Sequence, residues 1–534
     1  MPEKPSARVV IIGGGLGGLM SAIKLKRKFG HDVDFTIYEK WDDIGGTWKA
    51  NTYPGAASDV ETHWYSLSTD PNPDFPVTHV PQAEIHAYWK SLARKYDLYP
   101  NIHCNTKVLS ADWDEKKQVY AVKVQDVKTK ETREDYANII ISAVGLFSIP
   151  RYPENLKGLD RFKGDHFHSG EWDHNVSLHQ KRVAVIGNAC SAAQFLPEIL
   201  KDPTTEVMNF CRSPNWVLAG MPHLTFTPLR KWIFRHVPFA LKLYRFSIFL
   251  MHDLFYEKYM NVNEERSKKI VKAVTRRMKK LTPEKYHDLV IPKYTFGCKR
   301  IVFGTGYLDS LHKPNMDVTY DGVQEYVEDG IITEKGEKMN FDVIIFATGF
   351  NTYDYPIPIR GRTGYTVQEY HDQKGGPQSY YGTALPGFPN FYILAGPNAS
   401  ATHGSVVFSE EVQLGWAMQL IKPIVKGQVS SFEPTEEATE AHNKIIQLKL
   451  QKTIWATGCT SWYRRPDSKK IYTLFPGSHT AFMWAMRKPV FEDFRIVNGN
   501  GWMWRRKLVK IMRLVLAVTN VFILVFFGRR QLFL

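Results

Sequence analysis

Cysteine is scarce: five in 534 residues, Cys104, Cys190, Cys211, Cys298 and Cys459. They are odd in number, far apart and free of any CxxC pair or Cys/His cluster, so neither a metal site nor a disulfide framework is expected. Such usage suits a reducing, cytosol-facing compartment. The opening "MPEKPSARVVIIGGG" has no apolar h-region of a signal peptide and runs straight into a strand. Nucleic-acid-binding signatures are also missing, and the basic residues behind the net charge of +15 are spread rather than gathered in tails. Nucleic acid is therefore not an expected partner, whereas anionic cofactors or an anionic membrane surface suit that charge. With 43% hydrophobic and 23% charged residues the chain is neither disordered nor collagenous, and its length exceeds what one core fills, which implies two or more domains.

What is present begins with "ARVVIIGGGLGGLMSAIKLKRKFGHDVDFTIYEK": a strand, a glycine turn, a helix and a second strand ending in an acid. Gly13, Gly15 and Gly18 fill GxGxxG. The first permits the turn, the second a close approach to a pyrophosphate, and the third helix-on-strand packing. The pyrophosphate would rest on free N–H groups at the helix start. Glu39, at the end of the second strand, is placed to accept hydrogen bonds from a ribose, which favours FAD or NAD over a 2′-phosphate.

A second unit follows at "KRVAVIGNACSAAQFLPEIL", where Gly187, Asn188, Ala189, Cys190, Ser191 and Ala192 form the turn. Ala189 and Ala192 replace the second and third glycines, and the methyl at 189 is expected to hold a phosphate slightly farther off. The next strand ends in Arg212-Ser213 rather than an acid, and a guanidinium fork suits an adenosine 2′-phosphate. Two turns of opposite ribose chemistry imply FAD first and NADPH second.

Between the units lies "FKGDHFHSGEWD". Phe162, Gly164, His168, Trp172 and Asp173 occupy F-x-G-x-x-x-H-x-x-x-W followed by Pro or Asp, and the stretch shows neither helical nor strand periodicity. "GGTWKANTYPGAASD" supplies a second pattern, from Gly45 through Trp48, Tyr53, Pro54 and Gly55 to Asp59. With both motifs in place the chain resembles the Baeyer–Villiger monooxygenases, class B flavoproteins, in the style of fungal FAD-binding members. Related flavin-containing monooxygenases usually carry Tyr at the position of Trp172.

The resemblance implies that the fingerprint is a linker whose His168 and Trp172 brace a hinge between FAD and NADPH domains, tuned for hinge geometry rather than packing. It implies that Thr47, Trp48, Asp59 and Tyr65 surround the flavin, and that Ala57, Ser58 and Asp59 lie where NADP also approaches. In "GCKRIVFGTGYLDSLHKPN", Lys299 would join Arg212 at the 2′-phosphate and Arg300 would face the flavin C4a–peroxide, steadied by Asp59. Gly304-Thr305-Gly306 departs there from the family's Asp-Ser-Gly or Asp-Thr-Gly. Trp462 would fall near a loop that closes over NADP. The implied reaction inserts one oxygen atom from O2 beside a ketone carbonyl to give an ester or lactone. The alternatives are a nitrogen or sulfur oxygenase or hydroxylase using the protonated peroxide, and a non-catalytic nucleotide-binding membrane protein.

The expected architecture is α/β, with two Rossmann-like domains, the NADPH domain inserted in a split FAD domain. The divisions are 1–150 (FAD, first part), 151–340 (NADPH, with a helical subdomain at about 225–290), 341–497 (FAD, second part, entered through "FDVIIFATGF") and 498–534. That last segment holds the hydrophobic stretch Leu508–Gly528, which reads as a tail anchor, an in-plane helix or a helix docked on the protein, with Lys510 and Arg513 intruding near one end. The aromatic-rich segment 231–260 reads as a helical cover over a substrate path or as a membrane-docking surface. A bulky hydrophobic ketone is the substrate class that fits such a chain.

Overall fold

The computed structural model describes residues 7–218, 224–260, 262–304, 306–400 and 404–528. Two parallel five-stranded sheets organise the catalytic part. The first is formed by β1 (Ala7–Ile12), β2 (Val33–Tyr38), β3 (Ile102–His103), β4 (Ile139–Ser142) and β10 (Phe391–Ile393), in the order β10-β4-β1-β2-β3. The second is formed by β5 (Asp165–His168), β6 (Arg182–Ile186), β7 (Glu206–Phe210), β8 (Met316–Thr319) and β9 (Val343–Phe346), in the order β8-β7-β6-β9-β5. Strands such as β1, β4 and β9 are almost wholly buried, as parallel strands covered on both faces must be, and this is why their sequences run apolar without alternation. The first sheet is widened by a separate four-stranded sheet built from Thr106–Asp114, Val119–Asp126, Thr132–Ala137 and Ile359–Arg360.

Helix α1 (Leu16–Phe29) follows β1 and helix α2 (Cys190–Ile199) follows β6, so each glycine turn sits at the carboxyl end of a central strand. The long helices between β7 and β8 are α3 (Pro228–His236), α4 (Ala240–Tyr259) and α5 (Glu264–Leu281). Helix α6 (Val406–Val425) packs along α1, followed by α7 (His479–Ala485) and the C-terminal α8 (Asn500–Gly528).

Three expectations change here. "FDVIIFATGF" does not return the chain to the first sheet: β9 lies between β6 and β5 in the second, with Val343 opposite Val183 and Asp165. A fully apolar buried strand carries no mark of which sheet it joins, and the chain re-enters the first sheet only at β10.

The fingerprint is not a loop spared from packing. Asp165–His168 is an edge strand, Phe162, Phe167 and His168 are buried, and a Cβ on Gly164 would stand 2.2 Å from the Asp342 carbonyl oxygen. Gly164 is thus fixed by the close approach of the backbone leading into β9.

The tail is helical, but among the described residues no helix is long and apolar enough to cross a membrane. Arg505, Arg506, Lys507, Lys510 and Arg513 interrupt the first half of α8, and each is costly in a hydrocarbon interior.

Candidate active site between the two glycine turns

The two turns share one backbone design. Gly13 has φ +105° and donates its N–H to the Tyr38 carbonyl at 2.9 Å; Gly187 has φ +112° and donates to the Phe210 carbonyl at 2.8 Å. A Cβ would meet the Ala143 carbonyl oxygen at 2.6 Å in the first and the Ala347 carbonyl oxygen at 2.5 Å in the second, so only glycine fits either place. The next positions differ in residue but not in conformation: Gly15 has φ −77°, ψ −167° and Ala189 has φ −87°, ψ −160°. Ala189 is exposed, so its methyl disturbs nothing within the protein. Gly15 has a closer neighbour: a Cβ there would lie 3.3 Å from the Cα of Gly46, a tight contact with the loop that carries the second motif. That loop is hooked on by the Gly45 N–H, which donates to the Gly14 carbonyl at 3.0 Å.

At the far end of the first turn Glu39 is buried, which raises its pKa, but each carboxylate oxygen accepts a backbone N–H: Oε2 from Gly14 at 2.6 Å and Oε1 from Trp41 at 2.9 Å. Both oxygens keep lone pairs for ribose hydroxyls, which fits the adenosine end of a dinucleotide without a 2′-phosphate. Thr47 and Trp48 form a one-turn helix, and the Trp48 indole N–H donates to the Tyr65 hydroxyl at 3.1 Å.

The corresponding end of the second unit is cationic. Arg212 is exposed, and the Lys299 ammonium donates to Ser213 Oγ at 2.9 Å. Asn188 Nδ2 reaches the Ser213 carbonyl at 3.1 Å. Burial, and then the charge of Arg212, lower the Lys299 pKa to about 8. Two cations held together, with the Lys299 pKa lowered, form a place that an anion would relieve, and a 2′-phosphate matches that donor set.

Between these ends the 45–59 loop lies on α2. The Tyr53 hydroxyl donates to Gln194 Oε1 at 2.8 Å, Gln194 Nε2 donates to the Ala57 carbonyl at 3.0 Å, and Ser58 Oγ donates to the Val60 carbonyl at 2.8 Å. The fingerprint arrives from the other side. Trp172 packs on Phe195 with ring centres 5.2 Å apart, and Tyr53 packs on the same ring at 6.1 Å, so both motifs meet on one phenyl group of α2. His174, directly after Asp173, contacts Thr52 Oγ1 at 2.9 Å. His168 Nδ1 accepts the Gly170 N–H at 3.0 Å, leaving its proton on Nε2, and burial lowers its pKa to about 4, so the ring is neutral. Asp173 caps a surface turn by accepting from the Asn175 N–H at 2.9 Å.

Arg300 stands at this junction. Its Nη2 donates to Asp59 Oδ2, and the two side chains are 25% and 30% exposed. Burial opposes its charge, but Asp59 more than offsets that and raises the pKa, so the guanidinium is permanently cationic. Cys190, the first residue of α2, and Tyr463 also face Arg300. Burial pushes the Cys190 thiol up to about 11 despite the cation, and raises Tyr463, so both are protonated donors rather than nucleophiles. Trp462 lies 5.6 Å from the Phe147 ring.

Two features of this site escape a reading of the sequence. Cys298 and Cys459 form a disulfide across 161 residues, correcting the expectation that no disulfide is present; it ties the residue before Lys299-Arg300 to the loop leading into Trp462-Tyr463. Odd, scattered cysteines give no sign of a pair that only folding brings together. Glu410 on α6 is buried and its pKa is raised to about 8 by that burial. Its Oε2 lacks a hydrogen-bond partner among the described residues and lies 3.2 Å from where a Cβ on Gly17 would stand. An isolated "SEEV" inside a helix does not reveal which of its two acids turns inward.

Comparison with known proteins completes the picture. The flavin-binding monooxygenase-like family matches residues 6–456. The chain belongs to that family. A Baeyer–Villiger monooxygenase of Pseudomonas aeruginosa is 35% identical over 90% of this chain and 89% of its own length, and the FAD-binding monooxygenase tazF of Aspergillus terreus is 33% identical over 92% and 89%. Among solved structures, cyclohexanone monooxygenase from Rhodococcus sp. bound to NADP+ superposes with TM-score 0.80 at 25% identity, over 92% of this chain and 99% of that one.

Proposed function

We propose that the chain is an FAD- and NADPH-dependent Baeyer–Villiger monooxygenase that inserts one oxygen atom from O2 between a ketone carbonyl and its neighbouring carbon, giving an ester or lactone. One observation carries the reading: the fixed Arg300–Asp59 pair where the two glycine turns and both family motifs converge. When bound, FAD supplies the activation of oxygen with electrons from NADPH; the protein's part is to bind, orient and stabilise charge.

Glu39 and the first turn would hold the adenosine end of FAD. Lys299, Arg212 and Ser213 would hold the 2′-phosphate of NADPH, with the Gly187–Ala192 turn at its pyrophosphate. The domain layout is then an FAD unit on the first sheet, rejoined at β10, with the NADPH unit on the second sheet inserted. Trp172, His168 and Tyr53 would transmit any rotation of one unit to the other through α2.

Arg300 is the proposed catalytic residue. A unit positive charge about 4 Å from an oxyanion contributes roughly 4 kcal/mol at an effective dielectric near 20. That is enough to keep an attacking oxygen deprotonated and then to hold the alkoxide formed on the ketone carbon. Asp59 is a positioning residue that fixes the guanidinium. Cys190 and Tyr463, protonated throughout the working range, place no competing negative charge beside the guanidinium. The substrate is read as a bulky hydrophobic ketone. Such a molecule partitions into lipid, so the same reading has the chain meet it at a membrane surface rather than across one.

Arg300→Ala tests the assignment. The purified variant is expected to retain flavin absorbance and to lose ester formation by at least about a hundredfold. Ester formation at the normal rate by a flavin-loaded Arg300→Ala enzyme removes Arg300 from the mechanism.

A further inference from the structure

Helix α4 has two apolar faces, and among the described residues one packs inward while the other is exposed. The inner face clamps the segment that follows Asp59. Ile248 packs on Val60 and Trp64, Arg245 donates to the His63 carbonyl and to Ser66 Oγ, and His252 Nε2 meets Glu61 Oε2 at 2.9 Å. The outer face carries Leu243, Phe246, Leu250 and Leu254, preceded by Phe239, at successive spacings of four, three, four and four residues, which places them in one stripe. Their exposures are 65%, 58%, 45%, 60% and 70%. Helix α3 adds exposed Leu229 and Trp232. Helix α7, joined to α4 where Asp253 accepts the His479 N–H at 2.7 Å, adds exposed Met483 and Trp484. Soluble surfaces scatter such residues singly; a stripe of five along one helix, with more on the two helices packed against it, marks a contact.

Charge identifies the occupant. Helices α3 and α4 hold six Lys and Arg against two Asp and Glu, and α5, which follows them in the chain, adds eight against two. Cations also flank the apolar stripe itself: Lys242 lies over the Phe239 ring at 5.8 Å and Arg487 over the Trp484 ring at 4.0 Å. Apolar and aromatic residues along one helix face with cations beside them fit the boundary of an anionic bilayer, with acyl chains below and phosphates beside them.

We propose that the outer face of α4, with α3 and α7, docks on an anionic lipid surface, so that the helix whose other side covers the Asp59 segment rests on the membrane. Its use in delivering a hydrophobic ketone rests on the reading of the function given above; the lipid contact does not.

The test is co-sedimentation of the full, flavin-loaded chain with phosphatidylcholine vesicles with and without phosphatidylserine. Binding is expected only with phosphatidylserine and is expected to weaken as salt is raised. Leu243→Ser/Phe246→Ser/Leu250→Ser is expected to lower vesicle affinity at least about tenfold, since each loses buried apolar area. Lys242→Glu should lower it less, and only at low salt. Flavin absorbance and turnover of a water-soluble ketone serve as controls for folding in each variant. Undiminished sedimentation of the triple variant overturns the proposal. So does a lipid-free dimer of the wild type that the triple variant converts to monomer, because the stripe would then be an interface between two copies. Vesicle binding by a chain that makes no ester would leave the docking surface standing and remove the assigned reaction instead.

Discussion

The two glycine turns have the same backbone and opposite purposes. Gly13 and Gly187 adopt almost the same φ, each donates to the end of the neighbouring strand, and each would collide with a backbone carbonyl if it bore a side chain. Around that shared turn the surroundings diverge. At the first, a Cβ on Gly18 would stand 1.9 Å from the Gly13 carbonyl oxygen, whereas the second unit holds Ala192 in the corresponding place, buried with its methyl accommodated. At the first, the strand ends in a carboxylate fixed by two backbone donors; at the second, it ends in Arg212-Ser213, joined by Lys299 from 86 residues farther along, whose pKa burial and Arg212 lower. The turn is set by backbone sterics. The two units part at the end of the next strand, which carries a carboxylate in one and a guanidinium in the other.

This comparison can be broken in order of expected effect. Gly18→Ala should cost at least about 3 kcal/mol and leave little flavin-loaded protein, while Ala192→Gly should cost only about 1 kcal/mol; chemical denaturation of both variants measures the contrast. Similar losses in the two would mean that the turns are not sterically different at all. Arg212→Ala and Lys299→Ala should each raise the KM for NADPH about tenfold or more while leaving the KM for NADH nearly unchanged, because only NADPH presents the anion. Equal effects on both cofactors would end the assignment of that end to a 2′-phosphate.

The smallest effect is in pH. Lys299 is cationic below about pH 8 and neutral above it, so kcat/KM for NADPH should fall as pH rises through about 8. Lys299→Arg should extend the plateau upward, since a guanidinium keeps its charge. A profile unchanged by that substitution would show that another group titrates.

The turns, their helices and the residues at the ends of the following strands were readable because each depends on spacing within about thirty residues. The family likeness drawn from the two motifs is matched by relatives over nine-tenths of the chain. Other features depended on partners far away in sequence. The fingerprint showed no strand periodicity because β5 is only four residues long and lies at a sheet edge, yet Gly164 is dictated by backbone near residue 342. The strand at 343–346 is apolar throughout, which states that it is buried and nothing about which sheet buries it. The C-terminal helix was legible as a helix, and the cations in its first half limited it more than its apolar second half suggested.

The sequence by itself determined where the backbone must turn without a side chain, which strand ends carry an acid or a cation, and to which family the chain belongs. These are properties of neighbouring residues, fixed by steric exclusion and by charge. The tertiary structure shows the Arg300–Asp59 contact that the resemblance implied, and it alone decided that Cys298 meets Cys459, that Glu410 turns its Oε2 inward without a hydrogen-bond partner among the described residues, and that one face of α4 is left exposed among them. Contacts between residues 161 or 241 positions apart arise from the packing of whole sheets and helices, and no local pattern encodes them.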